Sequence, residues 1–274
     1  MSAAQANVYH FAPLAIAKKV LQHRYLLGQL IKRDVLLRYR GAYFGLLWVF
    51  LNPLIMLGIF SFVFGQIFQA RWPAQTNGIP FALNLYCGLI AFNIFAEAIG
   101  RAPGAVRSYP NYVKKIIFPV EILPVVPLGA ALIHAFFNSI ILAGALAWTG
   151  NLHSSILLFP ALLIPLLLFG LGLSWFLAAW GVFIKDMSQI VPVFVQMLMF
   201  LSPVFYPVQA VPESLRPIYT LNPLSSVIEA LRASLSATAV DWFSWSITLV
   251  FSLAAFVLGY VFFHHSRDEF ADVL

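Results

Sequence analysis

The sequence predicts an all-α integral membrane protein of six membrane-spanning helices, with an amphipathic segment before the first and short helices between the fifth and sixth. Three observations carry this. Of 274 residues, 61% are hydrophobic and only 9% charged, where a soluble domain has about 25% charged residues. The mean hydropathy of +0.88 agrees. The uncharged residues also run in stretches long enough to cross a hydrocarbon core, which takes about 20 residues of helix. The Lys and Arg residues, finally, are gathered into a few places between those stretches.

Residues 1–40 form the first unit, an amphipathic, interfacial segment. Leu26, Leu27, Leu30, Ile31 and Leu37 fall roughly at helical spacing, with Gln29, Lys32, Arg33 and Arg38 between them. A basic amphipathic helix suits an anionic leaflet surface. The segment has no apolar core followed by a small-residue cleavage site, so it does not read as a cleaved leader. Residues 41–274 form the second unit, the spanning domain. No charge occurs in 41–70 or in 72–96, which predicts spans near 45–68 and 79–100. Residues 122–184 are uncharged throughout and long enough for two spans. They break at Thr149-Gly150-Asn151-Leu152-His153-Ser154, a tight-turn composition, which gives spans near 121–148 and 155–184. A fifth follows Lys185-Asp186 at about 188–206, and a sixth lies at about 242–264.

Six spans put both termini on one side, and Lys and Arg decide which. The N-terminal segment holds Lys18, Lys19, Arg24, Lys32, Arg33, Arg38 and Arg40. The loop after span two holds Arg101, Arg107, Lys114 and Lys115; Lys185 and Arg267 fall on the same side. The opposite side has Arg71, Arg216 and Arg232. The asymmetry of 13 against three predicts cytoplasmic termini.

Two connections stand out. Arg101–Pro124 is a basic, proline-punctuated island, too short for a domain and too charged for the membrane, and it reads as a cytoplasmic loop containing a short helix. Residues 207–241 alternate proline breaks with semi-apolar helical pieces. Non-helical backbone at membrane depth survives only where protein or a water-filled cavity satisfies it. The segment therefore reads as a re-entrant pair of short helices at the outer face, or more plainly as a helical cap on the surface.

The chemistry-bearing residues are few. The sequence has no G-x-x-x-x-G-K-[ST] and no H-E-x-x-H, so no P-loop and no zincin site is expected. One cysteine, Cys87, excludes an intramolecular disulfide. The six histidines form no ligand set, and no metal is expected; His134 reads as a packing or hydrogen-bonding residue in span three, His264 and His265 as markers of the end of span six. Glu97 is the one carboxylate inside a predicted span, Glu121 standing at the very edge of span three, and such a residue is a functional candidate by default. Arg101 lies four residues on, so an i,i+4 pair is expected, with a structural role weighed above a gating one. So little buried charge argues against ion-coupled transport and for an outside energy source. Many aromatics suit interface belts (Trp72, Trp242 and Trp245). Tyr39, Tyr43, Phe44 and Trp48 are candidates for stacking on sugar faces.

Four stretches in order resemble the membrane permease subunit of bacterial ABC exporters of the type-2 superfamily, in particular the polysaccharide exporters of O-antigen, capsule or teichoic acid. They are LIKRDVLLRYRGAYFGLLWVFLNPLIMLGIFSFVFGQIF at 30–68, LYCGLIAFNIFAEAI at 85–99, NYVKKIIFPVEILPV at 111–125, and FLSPVFYPVQAVPESLRPIYTLNPLSSVIEALR at 200–232. The resemblance implies a homodimer joined to two copies of a separate ATPase, which binds the ATP and Mg²⁺; this chain itself holds no cofactor. It implies a coupling helix after span two within about 103–113, with Arg107, Tyr109, Pro110 and Asn111 as candidates for ATPase contact. It implies external gate helices at 207–240, with Tyr206, Pro212, Asn222 and Pro223 as candidates. The implied substrate is a polysaccharide on an undecaprenyl-diphosphate lipid, with O-antigen the first choice. Arg38 and Arg40, with Tyr39, Tyr43 and Trp48, are candidates for its entrance, since guanidinium suits bidentate phosphate contact; positive-inside anchoring explains the arginines equally. No nucleic-acid partner is expected, and the location implied is the bacterial inner membrane.

Two other classes compete. A membrane-embedded enzyme acting on lipid-linked glycans needs clustered acids or histidines near one face, and the outer side offers only the scattered Glu213, Glu229 and Asp241. A passive channel leaves the proline-bounded basic loop without a purpose.

Overall fold

The computed structural model describes residues 13–69, 78–113 and 118–273. Arg71, Trp72, Lys114 and Lys115 lie outside these ranges. Among the described residues every regular element is helical. Helices α1 (Pro13–Gln22) and α2 (Arg24–Tyr39) lead to α3 (Trp48–Phe60), α4 (Phe81–Ala105), the short α5 (Pro110–Val113) and α6 (Val125–Trp148). There follow α7 (Phe159–Leu162), α8 (Ile164–Phe183), α9 (Met187–Leu201), α10 (Arg216–Leu221), α11 (Pro223–Leu235), α12 (Trp242–Ser266) and α13 (Phe270–Val273).

Among the described residues, five helical stretches are long and apolar enough to cross a membrane: Gly45–Ile67, Phe81–Ala105, Val120–Trp148, Ser154–Phe183 and Trp242–Glu269. They match the expected spans one, two, three, four and six to within a few residues. The expected fifth span, 188–206, needs adjustment. Its helix α9 stops at Leu201, about 22 Å long at 1.5 Å per residue, against a hydrocarbon core of about 30 Å. The cause is Pro203. The residue before a proline is pushed out of the helical region, and Ser202 is extended, at φ −108° and ψ 151°.

The hinge from α2 into span one is set by glycine. Gly41 (φ 84°) and Gly45 (φ 48°) occupy the left-handed region, which side chains with a Cβ avoid. They let the chain turn from α2 into α3. Span one is also irregular within itself. Pro53 lies inside α3 and cannot donate a helical hydrogen bond. Ser61–Ile67 then continue as a wider π-helix, where Phe68 N donates to the Val63 carbonyl five residues back at 2.9 Å.

The centre of the bundle is α4, which packs against α6, α8, α9 and α11. The closest pairing is α8 with α12. A Cβ on Gly172 would strike the Ala255 carbonyl, and one on Gly259 the Gly172 carbonyl, so the two backbones touch. With lipid outside, helices gain little from apolar burial and much from such close packing. Two buried clusters result. One joins α4 to α6, α8, α9 and α11 through residues such as Ile90, Phe95, Leu142, Leu166 and Leu231. The other joins α1 and α2 to the ends of α4, α6, α8 and α12 through Ile16, Leu30, Val106, Leu123, Trp175 and Phe263.

The amphipathic reading of residues 13–40 divides. Leu30 is buried and Leu26, Leu27 and Ile31 pack on the second cluster, whereas Leu37 is exposed. Thus α2 lies on α6 by one apolar edge and leaves Leu36 and Leu37 uncovered. Span one is similarly uncovered, with Leu54, Ile55, Ile59 and Phe62 all exposed.

Candidate functional site

Helical spacing places Tyr86, Asn93, Glu97 and Arg101 along α4, and His134 and Asn138 one turn apart on α6. Together with Arg38, Tyr39, Trp48 and Asn52 they line a cleft of about 650 Å³ between α2, α3, α4 and α6. Its apolar wall includes Val49, Pro53, Met56, Phe60 and Ile90. Polar side chains inside an apolar bundle must find partners, and Tyr86 and Asn138 do. Tyr86 donates to Asn138 Oδ1 at 2.6 Å, and Asn138 donates to the His134 carbonyl at 2.7 Å.

The end of the cleft nearest α2 is an ion cluster. Arg38 Nη2 donates to Glu97 Oε1 at 2.5 Å. His134 Nδ1 lies 3.0 Å from Glu97 Oε2, and Tyr39 Oη lies 3.3 Å from His134 Nε2. Burial pushes the Tyr39 hydroxyl up, so it keeps its proton. His134 Nδ1 also lies 3.2 Å from Arg38 Nη1, so the ring bridges the carboxylate, the guanidinium and the tyrosine hydroxyl. Arg101 grips both oxygens of Asp34 on α2, with Nη1 at 2.8 Å from Oδ2. It also reaches Glu97 Oε1 at 3.5 Å.

The expected Glu97–Arg101 contact is therefore present, but it is the weakest in a larger network. Each partner has a closer one: Arg38 for Glu97, Asp34 for Arg101. Of the entrance candidates, Arg38, Tyr39 and Trp48 meet in the cleft. Arg40 faces a separate groove with Lys32 and Arg33. Tyr43 is 98% exposed and touches Phe44 edge-on.

Beyond α4, Val106–Ser108 turn the chain into α5. Residues 103–105 belong to the long helix rather than to the connection, which shortens the expected coupling element to about 106–113. Ser108, Tyr109, Pro110, Asn111 and Tyr112 form a cleft of about 360 Å³ together with Arg33 of α2. The Arg33 guanidinium stands 6.0 Å from the Tyr109 ring centre. Burial, assisted by the Asp34 carboxylate, pushes the Tyr109 hydroxyl up. Arg107 is half-buried; Pro110 and Asn111 are exposed.

Of the candidates between α9 and α12, Tyr206 and Asn222 are half-buried, Pro223 is buried at the start of α11 and Pro212 is exposed. Tyr206 donates to the Phe200 carbonyl at 2.7 Å and meets Tyr219 Oη at 2.9 Å. Asn222 caps α11 by accepting from Leu224 N at 3.0 Å, and its amide donates to Ser202 Oγ at 3.1 Å. The residue that binds this region is one the motif reading left without a role. Arg232 is buried and donates to the carbonyls of Pro203 (2.6 Å), Val204 (2.7 Å) and Asn84 (3.2 Å) and to Glu229 (2.9 Å). One side chain thus ties α11 to the break after α9 and to the start of α4.

Glu121 is a second such hub. It is buried and takes Lys19 at 2.8 Å, Arg267 at 2.6 Å and His264 at 3.6 Å. Burial alone lowers the Lys19 ammonium, but the hydrogen bond and charge of Glu121 more than restore it, and it lies raised. Trp175 Nε1 donates to the Glu121 carbonyl at 2.9 Å. Glu121 therefore pins both chain ends to α8.

The acids that an enzyme would need are otherwise engaged. Glu229 pairs with Arg232, Glu213 with Arg216 at 3.4 Å, and Asp241 caps α12 through Ser244 N at 3.1 Å. Among the described residues no three His, Cys, Asp or Glu side chains group as a metal site.

Sequence reasoning missed Asp34, Arg232 and the hub role of Glu121, whereas His134 is the hydrogen-bonding residue it was read as. The i,i+4 rhythm of 93, 97 and 101 and of 134 and 138 was the available signal for the cleft.

Comparison with known proteins gives a consistent result. The family model described as ABC-2 type transporter matches residues 25–236. The chain is 28% identical over 225 residues to the O-antigen export system permease protein RfbA of Myxococcus xanthus, covering 80% of this chain and 84% of that one. It is 24% identical over 258 residues to RfbA of Klebsiella pneumoniae, covering 91% and 95%. To the polysialic acid transport protein KpsM of Escherichia coli it is 23% identical over 250 residues, covering 88% and 92%.

Proposed function

Since the chain belongs to the ABC-2 type transporter family, as a membrane permease without a nucleotide-binding domain, we propose that it carries an undecaprenyl-diphosphate-linked polysaccharide, O-antigen in the first instance, out across the bacterial inner membrane. Two copies pair, and two copies of a separate ATPase dock from the cytoplasm and supply the ATP and Mg²⁺. The observation that carries the reading is the polar cleft. Its apolar wall suits a lipid tail, its arginine end suits a diphosphate, and Trp48, Tyr39 and Tyr86 offer rings and hydroxyls for sugar. The uncovered faces of span one and α9 supply apolar surface for a second copy, and closed two-fold pairing is the commonest oligomer. The cleft beside Arg107, Tyr109, Pro110 and Asn111 is the docking place for the ATPase. The short, buried α11 together with α10 forms the outer gate. Helix α9, continued by this gate, serves as the fifth span, which keeps both termini in the cytoplasm.

The similarity to KpsM favours a second reading, in which the cargo is a capsular polymer. Deletion of the gene, with assay of which surface polymer is lost, separates the two. The permease co-purified with its ATPase is expected to hydrolyse ATP in a vanadate-sensitive way. Export or modification of a glycan by the purified permease alone would overturn the transport-subunit reading.

A further inference from the structure

Glu97 Oε1 receives two arginines. Arg38 holds it at 2.5 Å and Arg101 stands at 3.5 Å. The two compete for one oxygen, and Arg101 spends its closer bonds on Asp34. The four groups bring two positive and two negative charges, so the cluster is balanced as it stands. Arg38 is also a cleft residue, with a side chain 37% exposed, and so within reach of an incoming anion.

We propose that Arg38, Glu97, Arg101 and Asp34 form an ion-pair relay through which a diphosphate headgroup entering the cleft signals to the ATPase-docking loop. The proposal rests on the lipid-diphosphate reading above. A diphosphate offers Arg38 stronger, bidentate acceptors. As Arg38 turns to it, Glu97 Oε1 loses its nearer partner and draws Arg101 across the remaining gap. Arg101 then gives up its grip on Asp34. Both ends of the relay sit on α2. Asp34 is followed one turn later by Arg38 and preceded by Arg33, which lines the docking cleft beside Tyr109, Pro110 and Asn111. Freeing Asp34 loosens α2 from α4, at the point where Arg33 meets the docking loop. His134 holds the second oxygen of Glu97 throughout, so the carboxylate pivots rather than leaves.

The test uses the complete permease–ATPase complex in lipid nanodiscs. The probe is undecaprenyl diphosphate without glycan, with uncharged undecaprenol as control. Native mass spectrometry reads lipid binding and phosphate release reads ATP hydrolysis. The wild-type complex is expected to bind the diphosphate lipid and to speed hydrolysis about fivefold or more, the lower range of a typical coupling between sites, with undecaprenol inert. Glu97→Gln and Asp34→Asn each break the relay at a different bond. Both are expected to bind the lipid yet hydrolyse ATP at nearly the same rate with and without it. If both bind and retain the wild-type stimulation, the relay is overturned while the export reading stands. If the wild type neither binds nor responds to the diphosphate lipid, the relay and the lipid-diphosphate reading fall together. Should Glu97→Gln fail to assemble with the ATPase, Asp34→Asn decides the question, because Asp34 is not needed to hold His134 or Arg38.

Discussion

Arg101 on α4 holds Asp34 on α2 through both of its terminal nitrogens, across 67 positions of sequence, and reaches its i,i+4 neighbour Glu97 only at 3.5 Å. The expected helix-surface pair is thus one edge of an interhelical network. The difference has a direct consequence. An isolated pair tolerates exchange of its members, but exchange of Glu97 and Arg101 here sets arginine against Arg38 and glutamate against Asp34. Like charges near 4 Å cost about 1–4 kcal/mol for effective dielectrics from 80 to 20. The double exchange is expected to lower export at least tenfold, read as surface polymer in a deletion strain.

Arg232 is expected to be intolerant even of lysine. It divides its donors among three carbonyls and Glu229, a spread that a fork-shaped guanidinium reaches and a point ammonium does not. Removing one partner of a buried charged network costs about 3–5 kcal/mol. Arg232→Lys and Arg232→Ala should both lower the midpoint of thermal unfolding in detergent. Gly88→Ala should do so more mildly, since its Cβ would sit 2.8 Å from Arg232 Nη2.

The contact of α8 with α12 leaves no room for a side chain at Gly172 or Gly259. Over-packing a core costs about 1–3 kcal/mol, and here the obstacle is backbone, which cannot turn aside. Gly172→Val and Gly259→Val are expected to yield little monodisperse protein on size-exclusion chromatography, whereas Gly144→Val, with open space at its Cβ, is expected to behave as wild type.

Glu121→Gln removes the negative charge that gathers Lys19 and Arg267. Because Lys19 and Arg267 keep 39% and 36% exposure, water shares their charge, and the loss is set at about 1–3 kcal/mol. The expected signature is local. A cysteine placed at Ile16, which is buried, should react with a maleimide several times faster in the Glu121→Gln background; an unchanged rate would show that α1 is held by apolar packing alone.

Charge reversal at Arg107 or truncation at Tyr109 is expected to separate ATP hydrolysis from export while leaving the permease inserted. Both residues lie where α4 turns into α5, and Tyr109 lines the cleft shared with Arg33. Export and hydrolysis measured on the same complex give the comparison; export at the wild-type rate from Arg107→Glu would remove Arg107 from the coupling contact.

The sequence by itself determined the membrane class, the place of five long spans and the basic loop after span two. These depend on local composition: an apolar run of about 20 residues has one stable use in a bilayer, and Lys and Arg favour one side of it. The break at Pro203 was hidden, because the uncharged run continues through it and past residue 206. Tertiary structure alone decided the partners. Arg38 finds Glu97, Arg101 finds Asp34, Lys19 and Arg267 find Glu121, and Arg232 finds the carbonyls after α9, over separations of 28 to 148 positions. A charge inside an apolar bundle must be paired or hydrogen-bonded, and that requirement is visible in any sequence. Which group meets it depends on how the helices pack, and here that is set by features as small as the bare backbones of Gly172 and Gly259.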